Sequence, residues 1–550
     1  MGLPMSKKFQ FNERKVLVAL FLLVIVVMGM LSVFSSGETL TEKSSGTYET
    51  LIPDSSTDDP IGYIDSEYKV KEGFHTNLPI VVLSVDKEMP AYKKYREGQE
   101  ILSGEDPYVS GNIRIIDGGA GDNTLATPVS FNSNIRIKMK GHSSIGYDKK
   151  QYKIKTVFAN GEENDLDILG MGKGSEWVLN GSMADKSMIR NYLAYRIASE
   201  IGGNNMAPDS RFCEVLMEQN GSYTYQGVYL LMETISRGDD RLKIDKYNPK
   251  NVYSSYLVRR DRQTSLDPML ETYGRLSGNV TSEVKPYDNW IGLKYPSQSK
   301  LTDETKKYIE KDFSKMERVI YSKDYSIFRT YDRYIDTMSF ADYFLINEFF
   351  GNYDAGKHST YMYKNSGEKL KIGPVWDYDQ AMNNNPLVEM DLDDLAFQTR
   401  DIYAQICNDK KFMKLLKNRF AYLRQNQLSE EHIFDVIDET TAYLKSAQVR
   451  EWYRWADDYL DPTADNPGNY HLESYTKDDV TLSRFTDDYL DEIYVIKSFI
   501  QKHGKMVQVD LGKLLEGAEY DTSVGGIREL LLIAALLLLI IPSYLIQRKG

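Results

Sequence analysis

The sequence predicts an α+β protein with an apolar helix at each end, on three observations. Strand patterns and turn signals crowd the stretch before about residue 300. Helical periodicity with few Gly or Pro runs from Asp303 to about Ile500. Two long apolar runs, Val16–Phe34 and Leu530–Ile546, bracket everything else.

Val16–Phe34 follows Lys7, Lys8, Arg14 and Lys15. At about 1.5 Å per residue it covers nearly all of a hydrocarbon core of about 30 Å. It is longer than the apolar region of a signal peptide, and Ser32-Val33-Phe34-Ser35-Ser36 makes a poor cleavage site. An uncleaved anchor is therefore expected. Leu530–Ile546 is closed by Arg548 and Lys549, so positive charge lies outside both runs. That charge places residues 1–15 and 547–550 in the cytoplasm and the main body outside it, in a two-pass cell-membrane protein whose first partner is the lipid bilayer.

Residues 35–71 are rich in Ser, Thr, Gly and Asp without periodic apolar positions, which reads as a stalk. Residues 72–300 form the strand-rich region. Pro79–Leu83 is a short buried run. Asn134–Lys140 alternates, with Ile135, Ile137 and Met139 opposite Arg136, Lys138 and Lys140. Tyr152–Phe158 alternates again, setting Lys153 and Lys155 opposite Tyr152, Ile154 and Phe158. Asp185 stands as the N-cap of a helix ending at Gly202-Gly203, and Asn220-Gly221 joins strands Arg211–Met217 and Tyr223–Glu233. Residues 301–520 form the helical region.

Composition narrows the function. The 550 residues carry 67 basic and 80 acidic side chains, a net charge of −13, which argues against nucleic acid as a partner. Hydrophobic residues at 41% and charged ones at 27% describe a folding chain. Two cysteines, Cys213 and Cys407, exclude a disulfide scaffold and a Cys-rich metal centre, leaving one bridge between them open.

The chemistry concentrates in Tyr334–Asn385. A helix carrying Ile335, Met338, Ala341, Leu345 and Phe349 ends at Gly351, and a polar loop runs from Asn352 to His358. Thr360–Tyr363 reads as a strand, Asn365-Ser366-Gly367 as a hairpin turn, Lys369–Val375 as the returning strand, and Trp376-Asp377-Tyr378-Asp379 follows. A hairpin returns the chain to where it left, so Asn352, Asp354 and Ser359 are expected to face Asp377 and Asp379. Converging oxygen ligands suit Mg²⁺ or Mn²⁺. Phosphoryl transfer needs this set: a carboxylate on the attacking hydroxyl, others on metal, and a basic residue on phosphate.

The same stretches carry a resemblance. Lys140-Gly141-His142-Ser143-Ser144, Lys149–Lys155, Trp177-Val178-Leu179 with Asp185–Asn191, Gly227–Glu233, Asn347-Glu348 with Asn352-Tyr353-Asp354, and Pro374–Asp379 together resemble the CotH kinase family, spore-coat-protein-H-like atypical kinases. The resemblance extends from about Leu78 to about Leu511. It implies a two-lobed kinase-like fold and ATP-dependent phosphorylation, with Mg²⁺ or Mn²⁺, of hydroxyl side chains on extracytoplasmic or cell-surface proteins. By position it implies that Asp354 is catalytic and that Asp377, with Asp379 and Ser359 beside it, holds metal. It also implies that Lys153 or Lys155 meets the nucleotide phosphates and that Glu233 pairs with that lysine. Ser359 stands where the family usually has Asn, a better ligand. That departure supports a second reading, a catalytically silent surface protein that binds wall polymer or assembles a cell-envelope complex. Glycoside hydrolysis is weaker: residues two apart on a strand project to one side, so Asp377 and Asp379 do not flank a sugar bond.

Overall fold

The computed structural model describes residues 50–90, 107–119, 121–141, 144–261, 267–274, 290–384, 395, 397, 400–460, 475–477, 480–482 and 486–522. Seven strands close into a barrel: β1 (Ile80–Val85), β2 (Val109–Ile116), β3 (Val129–Lys140), β4 (Gln151–Val157), β5 (Glu176–Asn180), β6 (Ser210–Gln219) and β7 (Ser222–Glu233). Their order around the ring is β6-β7-β5-β4-β3-β2-β1. An odd ring cannot close on antiparallel pairs alone. The parallel partner is the β1–β6 seam, with Val81 opposite Val215 and Leu83 opposite Met217.

Alternation fills the barrel with one face of each strand. Ile135, Ile137, Tyr152, Ile154, Trp177, Leu179, Val215 and Leu231 share its interior. The opposite face of β3 and β4 carries Lys138, Lys140, Lys153 and Lys155, as the alternation predicts. Phe158 was expected to point inward, but it lies beyond the end of β4 and is 52% exposed. Between β6 and β7, Asn220 and Gly221 take φ of 52° and 78°, the left-handed pair a two-residue hairpin requires. Cys213, inside the barrel, and Cys407 are both buried free thiols, so no bridge joins them.

Between β5 and β6 lies helix α1 (Arg190–Gly202). It starts five residues after Asp185, so Asp185 is not its N-cap residue. The carboxylate still serves the helix from outside, accepting the Arg190 N–H at 3.0 Å. Gly203 at φ 65° ends it.

A second sheet is built from β8 (Tyr256–Asp261), β9 (Trp290–Tyr295), β10 (Thr360–Lys364) and β11 (Lys371–Ile372), in the order β9-β8-β10-β11. It draws two strands from each side of residue 300, so that position does not divide a strand layer from a helix layer. The longer helices after residue 300 are α2 (Asp303–Ile320), α3 (Thr337–Phe349), α4 (Lys410–Leu423), α5 (Glu430–Tyr443), α6 (Lys445–Leu460) and α7 (Tyr489–Gly517); α3 packs on β11 of this sheet and α6 on β7 of the barrel. Thr302, Asp336, Ser429 and Asp488 cap four of these helices through their side chains. From Phe340 to Phe349, helix α3 is buried on every side, and α1, α4 and α7 pack on it.

Two expectations need correction. Residues 50–71 are not a free stalk. Leu51 and Ile64 are buried, and Asp54 accepts the Ser446 N–H at 2.9 Å, because apolar side chains spaced along this stretch find cover. The fold class with a spanning helix at each end, and the two-pass membrane location built on it, also fall. Among the described residues no helix is long and apolar enough to cross a membrane. The longest, α7, carries Asp491, Glu492, Lys497, Lys502, Lys505, Asp510 and Lys513 along its length. The runs Val16–Phe34 and Leu530–Ile546 lie outside the described residues. What is observed is a mixed α+β protein with a closed barrel.

Candidate active site

Helix α3 ends at Phe349, and Gly351 at φ 60° turns the chain into the loop that holds Asp354. The loop is tied at both ends. Asn352 donates its backbone N–H to Asn347 O at 2.9 Å and its side-chain amide to Asn347 Oδ1 at 3.2 Å. Beyond Asp354, Gly356 N–H donates to Thr360 Oγ1 at 2.7 Å. The hairpin β10–β11 then brings the chain back, with Met362 opposite Ile372. Its return strand is shorter than expected: after Gly373 the backbone leaves the sheet, and Val375 N–H donates to Met206 O, just past α1.

That turn delivers Asp377 beside the loop. Ser359 Oγ donates to Asp377 Oδ2 at 3.3 Å, and Ser182 Oγ approaches Asp379 Oδ2 at 3.5 Å. Ser359 and Asp377 both sit at positive φ, 49° and 69°, a conformation that costs a non-glycine residue about 1 kcal/mol or more. Such strain persists only where the surroundings hold it. Tyr378, between the two aspartates, turns the other way into the core, where its hydroxyl donates to Asn347 Oδ1 at 2.6 Å.

The electrostatics confirm the convergence of these acids. Burial raises the Asp377 carboxyl above the usual range, with Lys140 opposing and Asp354 and Asp261 adding repulsion. Asp379 is raised further, by burial and then by Asp377, Asp185 and Asp354. Lys140 is pushed down by burial and drawn back by Asp377 and Asp379. Its ammonium also lies 5.5 Å from the centre of the Trp376 ring. Half-buried carboxylates that repel one another, with hydroxyls beside them, are an oxygen donor set that fits a hard divalent cation. The set is open: among the described residues, three carboxylates approach mutually within 4.8 Å at Asp487, Asp488 and Asp491, and not here.

The expected lysines lie on the barrel face nearby, with a different acidic partner. Lys153 Nζ meets Glu176 Oε2 at 2.8 Å, and Lys155 Nζ meets Glu176 Oε1 at 2.9 Å. Burial would raise Glu176, but the two ammonium groups together push it down to about 2. Glu233 pairs with Arg241 and accepts the Asp209 N–H at 3.0 Å. Burial pushes it up to about 7 against the pull of Arg241. Strand register explains the difference, since Glu176 stands directly opposite Lys155 on β4 whereas Glu233 stands opposite Trp177.

Sequence reasoning therefore missed three groups. Glu176 was legible only as an acidic residue opening the apolar run Trp177-Val178-Leu179. Lys140 was visible as the last member of an alternating cationic face, with nothing local to show that it reaches the aspartates. Asp261, at the end of β8, faces Asp377 from the second sheet, a neighbour that no local pattern reveals.

No curated protein matches this sequence. The profile of the CotH kinase protein family matches residues 137–507, well over half of the chain, spanning the barrel lysines, the Asp354 loop and the Asp377 turn. The chain belongs to the CotH kinase protein family.

Proposed function

We propose that this protein transfers the terminal phosphoryl group of ATP to a hydroxyl side chain of a protein substrate. The observation that carries the proposal is that Asp354, Ser359, Asp377, Asp379 and Lys140, from three separate chain segments, act on one another's charge. Asp377, with Asp379 and Ser359 beside it, would hold Mg²⁺ or Mn²⁺. When bound, that ion neutralises charge on the phosphates. Asp354 orients the acceptor hydroxyl and takes its proton as the oxygen attacks. A bond forms from that oxygen to the terminal phosphorus, the bond to the bridging oxygen breaks, and a nucleoside diphosphate leaves. Lys140 is the lysine best placed to meet the phosphates, because Lys153 and Lys155 are engaged by Glu176. The Lys153–Glu176 pair stiffens the face on which the nucleotide lies.

A second reading, an inactive binding protein, is favoured by Ser359. Its single hydroxyl already donates to Asp377, so it supplies less to a metal than an amide oxygen would. Labelled ATP with Mn²⁺ or Mg²⁺ separates the two. Self-labelling and a nucleotide-dependent rise in Tm in wild type, both lost in Asp377→Ala, support the kinase. Melting that ignores nucleotide and metal in both proteins removes it.

A further inference from the structure

We infer that Tyr195 and Asn191 of α1 are positioning residues that hold Asp377 in its metal-facing conformation. The inference rests on the proposed role of Asp377. Asp377 is at φ 69°, where an L-residue is strained. Two consecutive amides of the turn are captured by one helix. The Asp377 N–H donates to Tyr195 Oη at 3.1 Å, and the Tyr378 N–H donates to Asn191 Oδ1 at 2.8 Å. The two acceptors are coupled, since the Tyr195 hydroxyl donates to the same Asn191 Oδ1 at 3.0 Å.

Residues four apart share one face of a helix, so Asn191 and Tyr195 act as a fixed bracket. Both are buried, at 2% and 1% exposed, and neither side chain is placed to meet substrate. The bracket continues through Tyr378. Its backbone hangs from α1 while its hydroxyl reaches Asn347, and Asn347 also carries Asn352 of the Asp354 loop. A continuous hydrogen-bonded path therefore links the backbone of the Asp377 turn to the Asp354 loop, beside the direct Ser359–Asp377 bond. A shift of α1 is transmitted to Asp377 through its amide.

Tyr195→Phe removes one hydroxyl and keeps the ring. Tyr331→Phe is the matched control, losing a buried hydroxyl that donates to Asp409 at 2.7 Å, outside this path. With the full-length chain, Mn²⁺ affinity is measured by titration, Tm by calorimetry, and hydrogen exchange of peptides covering residues 375–380 by mass spectrometry. Both variants are expected to lower Tm by similar amounts. Only Tyr195→Phe is expected to speed exchange across 375–380 and to weaken Mn²⁺ about tenfold. Equal Mn²⁺ affinity in wild type and Tyr195→Phe overturns this inference alone. Equal weakening in both variants overturns it too, by showing a general loss of stability. A wild type that binds no Mn²⁺ removes the functional proposal and the inference with it.

Discussion

Of the places in this molecule that bury carboxylates beside the barrel, two treat charge in opposite ways. Where α6 docks on β7, Glu451 is fully buried and completely served. Lys149 Nζ meets one oxygen at 2.5 Å, Tyr459 donates to the same oxygen at 2.6 Å, and Val228 N–H donates to the other at 2.7 Å. Beside it Arg450 forks onto Glu214 at 2.7 and 2.8 Å. At the candidate site, Asp377 and Asp379 face Asp354, Asp185 and Asp261, and their pKa values rise. A docked charge satisfied by protein is structure. At the candidate site burial and the mutual repulsion of the acids outweigh the pull of Lys140, a cost that a bound cation would relieve.

The comparison is broken most directly at Glu451. Glu451→Ala leaves Lys149 and the Val228 N–H without their partner, and we expect a loss of about 3–5 kcal/mol in urea denaturation. Lys149→Met with Glu451→Leu is expected to recover much of that. A double variant as unstable as Glu451→Ala would show that the ion pair is not the source.

A second test concerns a group that burial holds in its neutral form. His503 donates through Nε2 to Glu348 O at 2.7 Å, and burial pushes its pKa down to about 4. Between pH 6.5 and about 4 the unfolded chain holds one proton more than the folded chain, so stability falls as pH falls. The His503 contribution to that loss is at most about 3 kcal/mol. His503→Gln keeps a donor for Glu348 O and should flatten the slope. An unchanged slope from pH 6.5 to 4 would assign the loss elsewhere.

Smaller effects should run the other way at the site. Asp379→Asn removes a repelling carboxylate, so without metal we expect a gain of about 1 kcal/mol, read as a rise in Tm, together with a smaller Mn²⁺-induced shift. A fall in Tm without metal would mean that the cluster is matched after all. The smallest effect is at Ser359, where Asn tolerates positive φ better and brings an amide oxygen. Ser359→Asn should gain about 0.5 kcal/mol and bind Mn²⁺ more tightly. Unchanged affinity would show that Ser359 is no ligand.

The elements around the site were legible because each is written within a dozen residues. The alternations of β3 and β4, the Asn220-Gly221 turn, the stop at Gly351 and the Asn365-Ser366-Gly367 hairpin all rest on short-range sterics and a two-residue or 3.6-residue period. The hairpin also correctly brought Ser359 beside Asp377, since a hairpin's return is a local consequence of its turn. Partner choice was not legible. Glu176 opens one apolar strand and Glu233 closes another, and only the register of β4 against β5 puts one of them on Lys155. The pairing of β8 with β10 across a hundred residues left no local trace.

By itself the chain determined which residues alternate, where turns fall and which side chains carry oxygen or charge, because backbone sterics and period are decided between near neighbours. Only the tertiary structure decided that the barrel closes through a parallel seam, that Glu176 serves the lysines, that Lys140 reaches the aspartates and that α1 holds Asp377. Each of those depends on residues far apart in sequence sharing a few ångströms, and electrostatic and hydrogen-bond energies are set by that distance and by burial rather than by order along the chain.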